Sequence, residues 1–99
     1  MFLVRDIMYC KPGKARPMAE KFVALSAISQ KLGMGTIRVL TDVSAERYWT
    51  VVSEMEVPSL DALSERAAKA MANPEFQAAM QGYHDLVDHG RREIYTIEK

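Results

Sequence analysis

Hydrophobic positions divide this chain into short crowded runs and longer periodic ones. FLVRDIMYC, residues 2–10, gathers β-branched and aromatic side chains and stops at Lys11-Pro12-Gly13, which predicts a strand closed by a turn. The spacing then changes, because Ala15, Met18, Phe22, Leu25, Ile28 and Leu32 recur at steps of three and four. At ~100° per residue they cover an arc of roughly 140°, with Arg16, Glu20, Gln30 and Lys31 outside it. An amphipathic helix over 14–32 follows, with Pro17 in its first turn, where no backbone donor is needed. Gly33 and Gly35 supply its stop. GTIRVLTDV (35–43) and RYWTVVSEMEV (47–57) predict two strands joined through Ser44-Ala45-Glu46, a hairpin-length link.

Ser59 is placed to cap a second helix, with Asp61 favourable near its positive end and Leu60, Leu63, Ala67, Ala70 and Met71 as the apolar stripe. Asn73-Pro74 interrupts it: Asn73 can cap, and Pro74 suits the first position of a new helix expected over 74–89. RREIYTIE (91–98) reads as the last strand. With no repeat, low-complexity stretch or linker, residues 1–99 read as a single domain. The order β-α-β-β-α-β predicts an α+β, ferredoxin-like protomer, a four-stranded antiparallel sheet with the helices on one face.

The strand patterns carry a second message. A sheet with one wet face should alternate cleanly between apolar and polar residues. Here both parities are apolar: Phe2, Val4 and Met8 against Leu3, Ile7 and Tyr9; Ile37 and Val39 against Leu40; Trp49, Val51 and Met55 against Tyr48 and Val52. The helices cover one face only, so a second copy of the chain in a symmetric homodimer is expected over the other.

Charge narrows the function classes. Thirteen basic and thirteen acidic residues cancel, leaving no global field for nucleic acid or an anionic membrane. Arg91-Arg92 is followed at once by Glu93, so no basic patch extends along the chain. One cysteine forms no internal disulfide. Arg5 and Asp6 break the apolar run a signal peptide requires, and no uncharged stretch approaches the ~20 residues of a membrane span. A cytoplasmic protein is the expectation.

His84 and His89 are the only histidines. On a helix over 74–89, His89 falls opposite the apolar arc and His84 at its border, and the two rings diverge by about 140°, too far to share a metal. Pairing of His84 with Asp88 and of Asp85 with His89, four residues apart, accounts for both structurally. The functional alternative makes His84 a general acid or base at the rim of a cleft. A His84–Asp88 metal pair lacks a third ligand, so no metal is expected. Arg5, Asp6, Arg38 and Glu54 interrupt apolar strands and call for ion pairing. Alternatively Arg38 anchors an anionic ligand group against an aromatic wall of Tyr9, Tyr48 or Trp49. Cys10 precedes Lys11, which would lower its pKa, yet a lone cysteine is more often inert. Seven methionines suit an adaptable core or a pocket lining. G-x-G-x-x-G, P-loop and G-x-S-x-G patterns do not occur.

KPGKARPMAEKF after the first strand and LSERAAKAMANPEFQAAM, with its Asn73-Pro74-Glu75-Phe76 step, resemble the NIPSNAP-like branch of the dimeric α/β-barrel superfamily over about Tyr9–Ile97. The resemblance implies ferredoxin-like protomers whose sheets pair face to face into a barrel. The wider superfamily includes haem-degrading and cofactor-free quinone-forming monooxygenases. The haem-degrading pattern needs a first-strand asparagine, a tryptophan and a helix histidine after a Phe-x-x-x step. Here the only asparagine is Asn73, Met80 follows Phe76-Gln77-Ala78-Ala79, and only Trp49 of that set is present.

The leading expectation is therefore a homodimer with a cleft between sheet and helices that holds a small, partly aromatic metabolite. If the metabolite is turned over, the chemistry expected is cofactor-independent oxidation of a quinol-type compound. Trp49 and Tyr83 would shape the site, Arg38 would orient an oxyanion and His84 would move protons. The alternative is a non-catalytic assembly protein whose polar residues are all explained by pairing or solvent.

Overall fold

The computed structural model describes residues 1–99. Strand β1 (Phe2–Cys10) leads through the Lys11–Gly13 turn into α1 (Ala15–Lys31), with Pro17 in the first turn as its missing donor requires. Gly33 (φ 68°) reverses the chain, and the Met34 N–H donates to Ser29 O at 2.9 Å. Strands β2 (Ile37–Thr41) and β3 (Thr50–Val57) follow, then α2 (Leu60–Ala72), α3 (Pro74–Met80), a 3-10 turn (Tyr83–Asp85) and β4 (Val87–Thr96). Both expected caps form: Ser59 Oγ accepts the Ala62 N–H and Asn73 Oδ1 the Phe76 N–H, each at 3.0 Å. The sheet order β2-β3-β1-β4, antiparallel throughout, is the ferredoxin-like arrangement, with the second helical unit broken at Asn73 into α2 and α3.

Alternation along the strands sorts residues to two faces. Val4, Met8, Val39, Val51 and Met55 share the face beneath the helices. There α1 seats Met18, Phe22 and Leu25, all buried, and Met18, Val4, Val51 and Val57 are fully enclosed. Each such side chain contributes about 1.5–3 kcal/mol by leaving water. Helix α2 seats far less: only Ala70 is buried, while Leu60 is 51% and Met71 72% exposed. Helix α3 is tied to α1 at both ends, by Lys31 Nζ to Glu75 Oε2 at 3.3 Å and by Lys21 Nζ donating to Gln81 O at 2.7 Å.

Two expected boundaries give way. The link between β2 and β3 is not the three-residue turn 44–46 but an eight-residue loop, 42–49, closed by Asp42 Oδ1 accepting the Thr50 N–H at 3.0 Å. Tyr48 and Trp49 therefore lie on this loop rather than in β3, and Trp49 adopts φ 63°. The helix expected over 74–89 ends at Met80, because Gly82 turns left-handed (φ 83°) and the chain enters β4 at Val87. Pairing with β1, Tyr9 opposite His89 and Met8 opposite Gly90, outcompetes the helical period.

Candidate functional site

Because α2 stands off the sheet, a cavity of about 240 Å³ remains between the sheet and the three helices. Phe22, Leu25, Met34, Leu63, Met71 and Phe76 give it an apolar wall. A polar row crosses its floor. Register places Ser53 of β3 and Arg92 of β4 on either side of Asp6 of β1, all pointing to the helix side. Arg92 grips Asp6 with two hydrogen bonds, Nε to Oδ1 at 2.7 Å and Nη2 to Oδ2 at 3.2 Å, and this bond holds Arg92 above its usual pKa. Arg66 enters from α2 and donates to Glu56 O at 3.1 Å.

A second, open groove flanks α3, lined by Met8, Met71, Phe76, Met80, Tyr83 and His84. Glycine at position 90 makes room there: a β-carbon would come within 2.8 Å of Met8 Sδ and 3.1 Å of Ile7 O. Between them the cavity and groove are lined by Met8, Met34, Met55, Met71 and Met80, five of the seven methionines. Met18 and Met34 are nonetheless buried in the core and Met8 and Met80 pack against its cluster, so the methionines serve both core and pocket lining.

The other face of the sheet carries no helix. Arg38 of β2, Glu54 of β3, Arg5 of β1 and Glu93 of β4 stand opposite one another in a single register and form a charge ladder across all four strands. Arg38 Nη2 donates to Glu54 Oε1, Arg5 Nε lies 2.9 Å from Glu54 Oε2, and Arg5 Nη1 lies 3.8 Å from Glu93 Oε1. The Arg5 Nε contact is ionic rather than a well-aligned hydrogen bond. Glu54, only 8% exposed, sits between two guanidinium groups that pair with its two oxygens. Leu3, Ile7, Tyr9, Leu40 and Val52 share this face, so both faces of the sheet are indeed apolar-bearing.

The six residues expected to form a site do not converge. Tyr83 and His84 lie at the α3 groove, ring centroids 4.0 Å apart, with His84 exposed on the 3-10 turn. Arg38 is on the opposite face of the sheet, engaged by Glu54, and cannot orient a ligand in the cavity. Tyr48 and Trp49 flank a shallow hollow with Arg16 and Asp42 at the loop. Tyr9 is buried on the open face, 4.7 Å beneath the Arg47 guanidinium and 4.9 Å from the His89 ring. The helical pairs His84–Asp88 and Asp85–His89 do not form, since Asp88 and His89 belong to β4. Arg47 Nη1 instead lies 3.0 Å from His89 Nε2, and His89 Nδ1 lies 3.4 Å from Asp88 Oδ2. No group of three or more His, Cys, Asp or Glu residues is arranged to hold a metal ion.

Sequence reasoning passed over Ser53, Arg66 and Arg92 and read Asp6 only as a charge needing a partner. Asp6 shares the parity of the core residue Val4, and Arg92 that of Ile94, which pairs with Val4; this is the one signal that places them on the helix side.

No protein-family model matches this chain, and no curated protein does. Solved structures do. A NIPSNAP family protein with unknown function from Agrobacterium tumefaciens superposes with a TM-score of 0.80 at 21% identity, over 96% of this chain and 86% of that one. A NIPSNAP-like domain protein from Burkholderia xenovorans gives 0.81 at 19% identity, over 97% and 84%. An antibiotic biosynthesis monooxygenase gives 0.74 at 14% identity, over the full length of both chains. At these identities the likeness is one of fold, and it is the NIPSNAP-like, ferredoxin-like fold that the sequence resemblance implied.

Proposed function

We propose that this NIPSNAP-like chain binds a small, largely apolar metabolite between its helices and its sheet, and that it does so as a homodimer. The cavity beneath α2 carries the reading: a helix whose apolar stripe stops short of the sheet leaves space that close-packed interiors do not keep without cause. Methionine lining adapts to the shape of a guest. Intact-mass spectrometry under native conditions, on protein taken from the cells that make it, is expected to show a retained small molecule. An Ala67→Trp variant, which fills the cavity from α2, is expected to lose it. A bare mass for the wild-type chain, together with no uptake of small apolar probes, would remove the proposal.

Dimer formation is supported by the open face. Its ladder runs plus, minus, plus, minus from β2 to β4, so a copy turned end for end presents the opposite sign at every step. Apolar Leu40 and Tyr95 stand exposed on the same face. A second copy shields that surface and matches those charges.

Likeness in fold to an antibiotic biosynthesis monooxygenase favours a second reading, cofactor-independent oxidation of a quinol-type compound, with His84 moving protons at the groove. Oxygen uptake with a quinol panel, and its loss in His84→Ala, is the expected result under that reading; equal rates in both proteins exclude the histidine.

A further inference from the structure

Resting on the cavity reading, we infer that the Ser53–Asp6–Arg92 row recognises a hydroxyl group, and that the bound molecule is therefore a small, largely apolar compound carrying an O–H, such as a phenol. Volume sets the size. About 240 Å³ exceeds the ~150 Å³ that accommodates benzene in an apolar protein cavity and suits one or two fused rings.

The polar floor sets the chemistry. Asp6 has a side chain only 27% exposed, and Arg92 takes one bond at each of its carboxylate oxygens. Each oxygen keeps a further lone pair, and an ionised carboxylate only accepts. A guest group meeting it must bring a proton. A phenolic O–H brings one and can accept in turn from the Ser53 hydroxyl, which lies opposite Asp6 on the same floor. A hydrocarbon of the same outline strips water from Asp6 and returns no hydrogen bond. A carboxylate guest sets a second negative charge beside Asp6, and the nearer cation, Arg92, is already engaged. The pairing of Asp6 with Arg92 thus converts an acid-binding arginine into the support of a hydroxyl acceptor.

Calorimetric titration of the full-length protein with 2-naphthol, naphthalene and 2-naphthoate tests this. The naphthol is expected to bind at least about tenfold more tightly than naphthalene, the worth of one hydrogen bond to a charged acceptor. In Asp6→Asn, which keeps the size but removes the charge and leaves Arg92 one acceptor oxygen in place of two, that preference should shrink while naphthalene affinity holds. Ser53→Ala, a smaller perturbation of the sheet, should weaken the naphthol alone and serves if Asp6→Asn does not fold. Equal binding of naphthol and naphthalene overturns the hydroxyl inference and leaves the cavity reading standing. Tightest binding of the naphthoate overturns it in favour of an anion site at Arg66 and Arg92. Binding of none of the three removes the cavity reading and the inference together.

Discussion

Cys10 shows how a residue's neighbours in space overrule its neighbours in sequence. Lys11 beside it suggests a thiol of lowered pKa, yet the side chain is buried at the end of β1 next to the core cluster. Burial, with the negative charge of Asp42 adding to it, pushes the thiol above its ordinary value of 9.0. The folded chain therefore holds this proton at pH values where the unfolded chain releases it. The stabilisation is complete below pH 9 and is lost as pH rises through the higher folded value. Denaturant midpoints are expected to fall above pH 9 more steeply in the wild-type chain than in Cys10→Ala; parallel pH profiles would refute this. Arg38 teaches the same lesson. A charge in an apolar strand flags a partner or a ligand, and only the register with Glu54 decides between them.

At the scale of elements, caps were legible and lengths were not. Ser59 and Asn73 cap as their chemistry dictates, because capping is local. The 74–89 period failed for a non-local reason. Leu86 and Val87 continue the apolar spacing of α3, but Gly82 supplies a left-handed turn and β1 offers β4 a full ladder of backbone partners. Gly82 is thus the residue that turns the chain out of α3. A β-carbon there would meet no other atom within 4 Å, so Gly82→Ala tests backbone conformation alone. It is expected to cost about 1 kcal/mol, the usual penalty for alanine at positive φ, read as a lower urea midpoint with unchanged slope. An unchanged midpoint would mean the chain end of α3 is fixed by the Lys21 bond to Gln81 instead.

For the whole molecule, the decisive feature is a four-stranded sheet dressed on one side. Its bare side alternates charge in strand order, so in the proposed homodimer the sign pattern would set Arg38 of one chain toward Glu93 of the other. Arg38→Glu and Glu93→Arg are each expected to lower the dimer fraction at micromolar concentration. An equimolar mixture of the two variants should recover it, because each mismatched end then meets an opposite charge. Sedimentation velocity reads both outcomes. A wild-type chain that sediments as a monomer, or a mixture that stays dissociated, would discard this arrangement. No helix of the chain is long and apolar enough to cross a membrane.

Side-chain period by itself determined the kinds and order of the elements, the fold class, the two capped helices and the apolar character of both sheet faces. These follow from steps of two or of three and four residues, which any short window of sequence displays. Only the tertiary structure decided which charges meet. The Asp6–Arg92 pair joins residues 86 positions apart, and the ladder joins all four strands through a register that no local window contains. A shift of one residue in any strand would send that strand's side chains to the opposite face and break the pairs they make. The candidate site was hidden for that reason: its floor is a product of strand alignment, and its volume a product of how far α2 stands from the sheet.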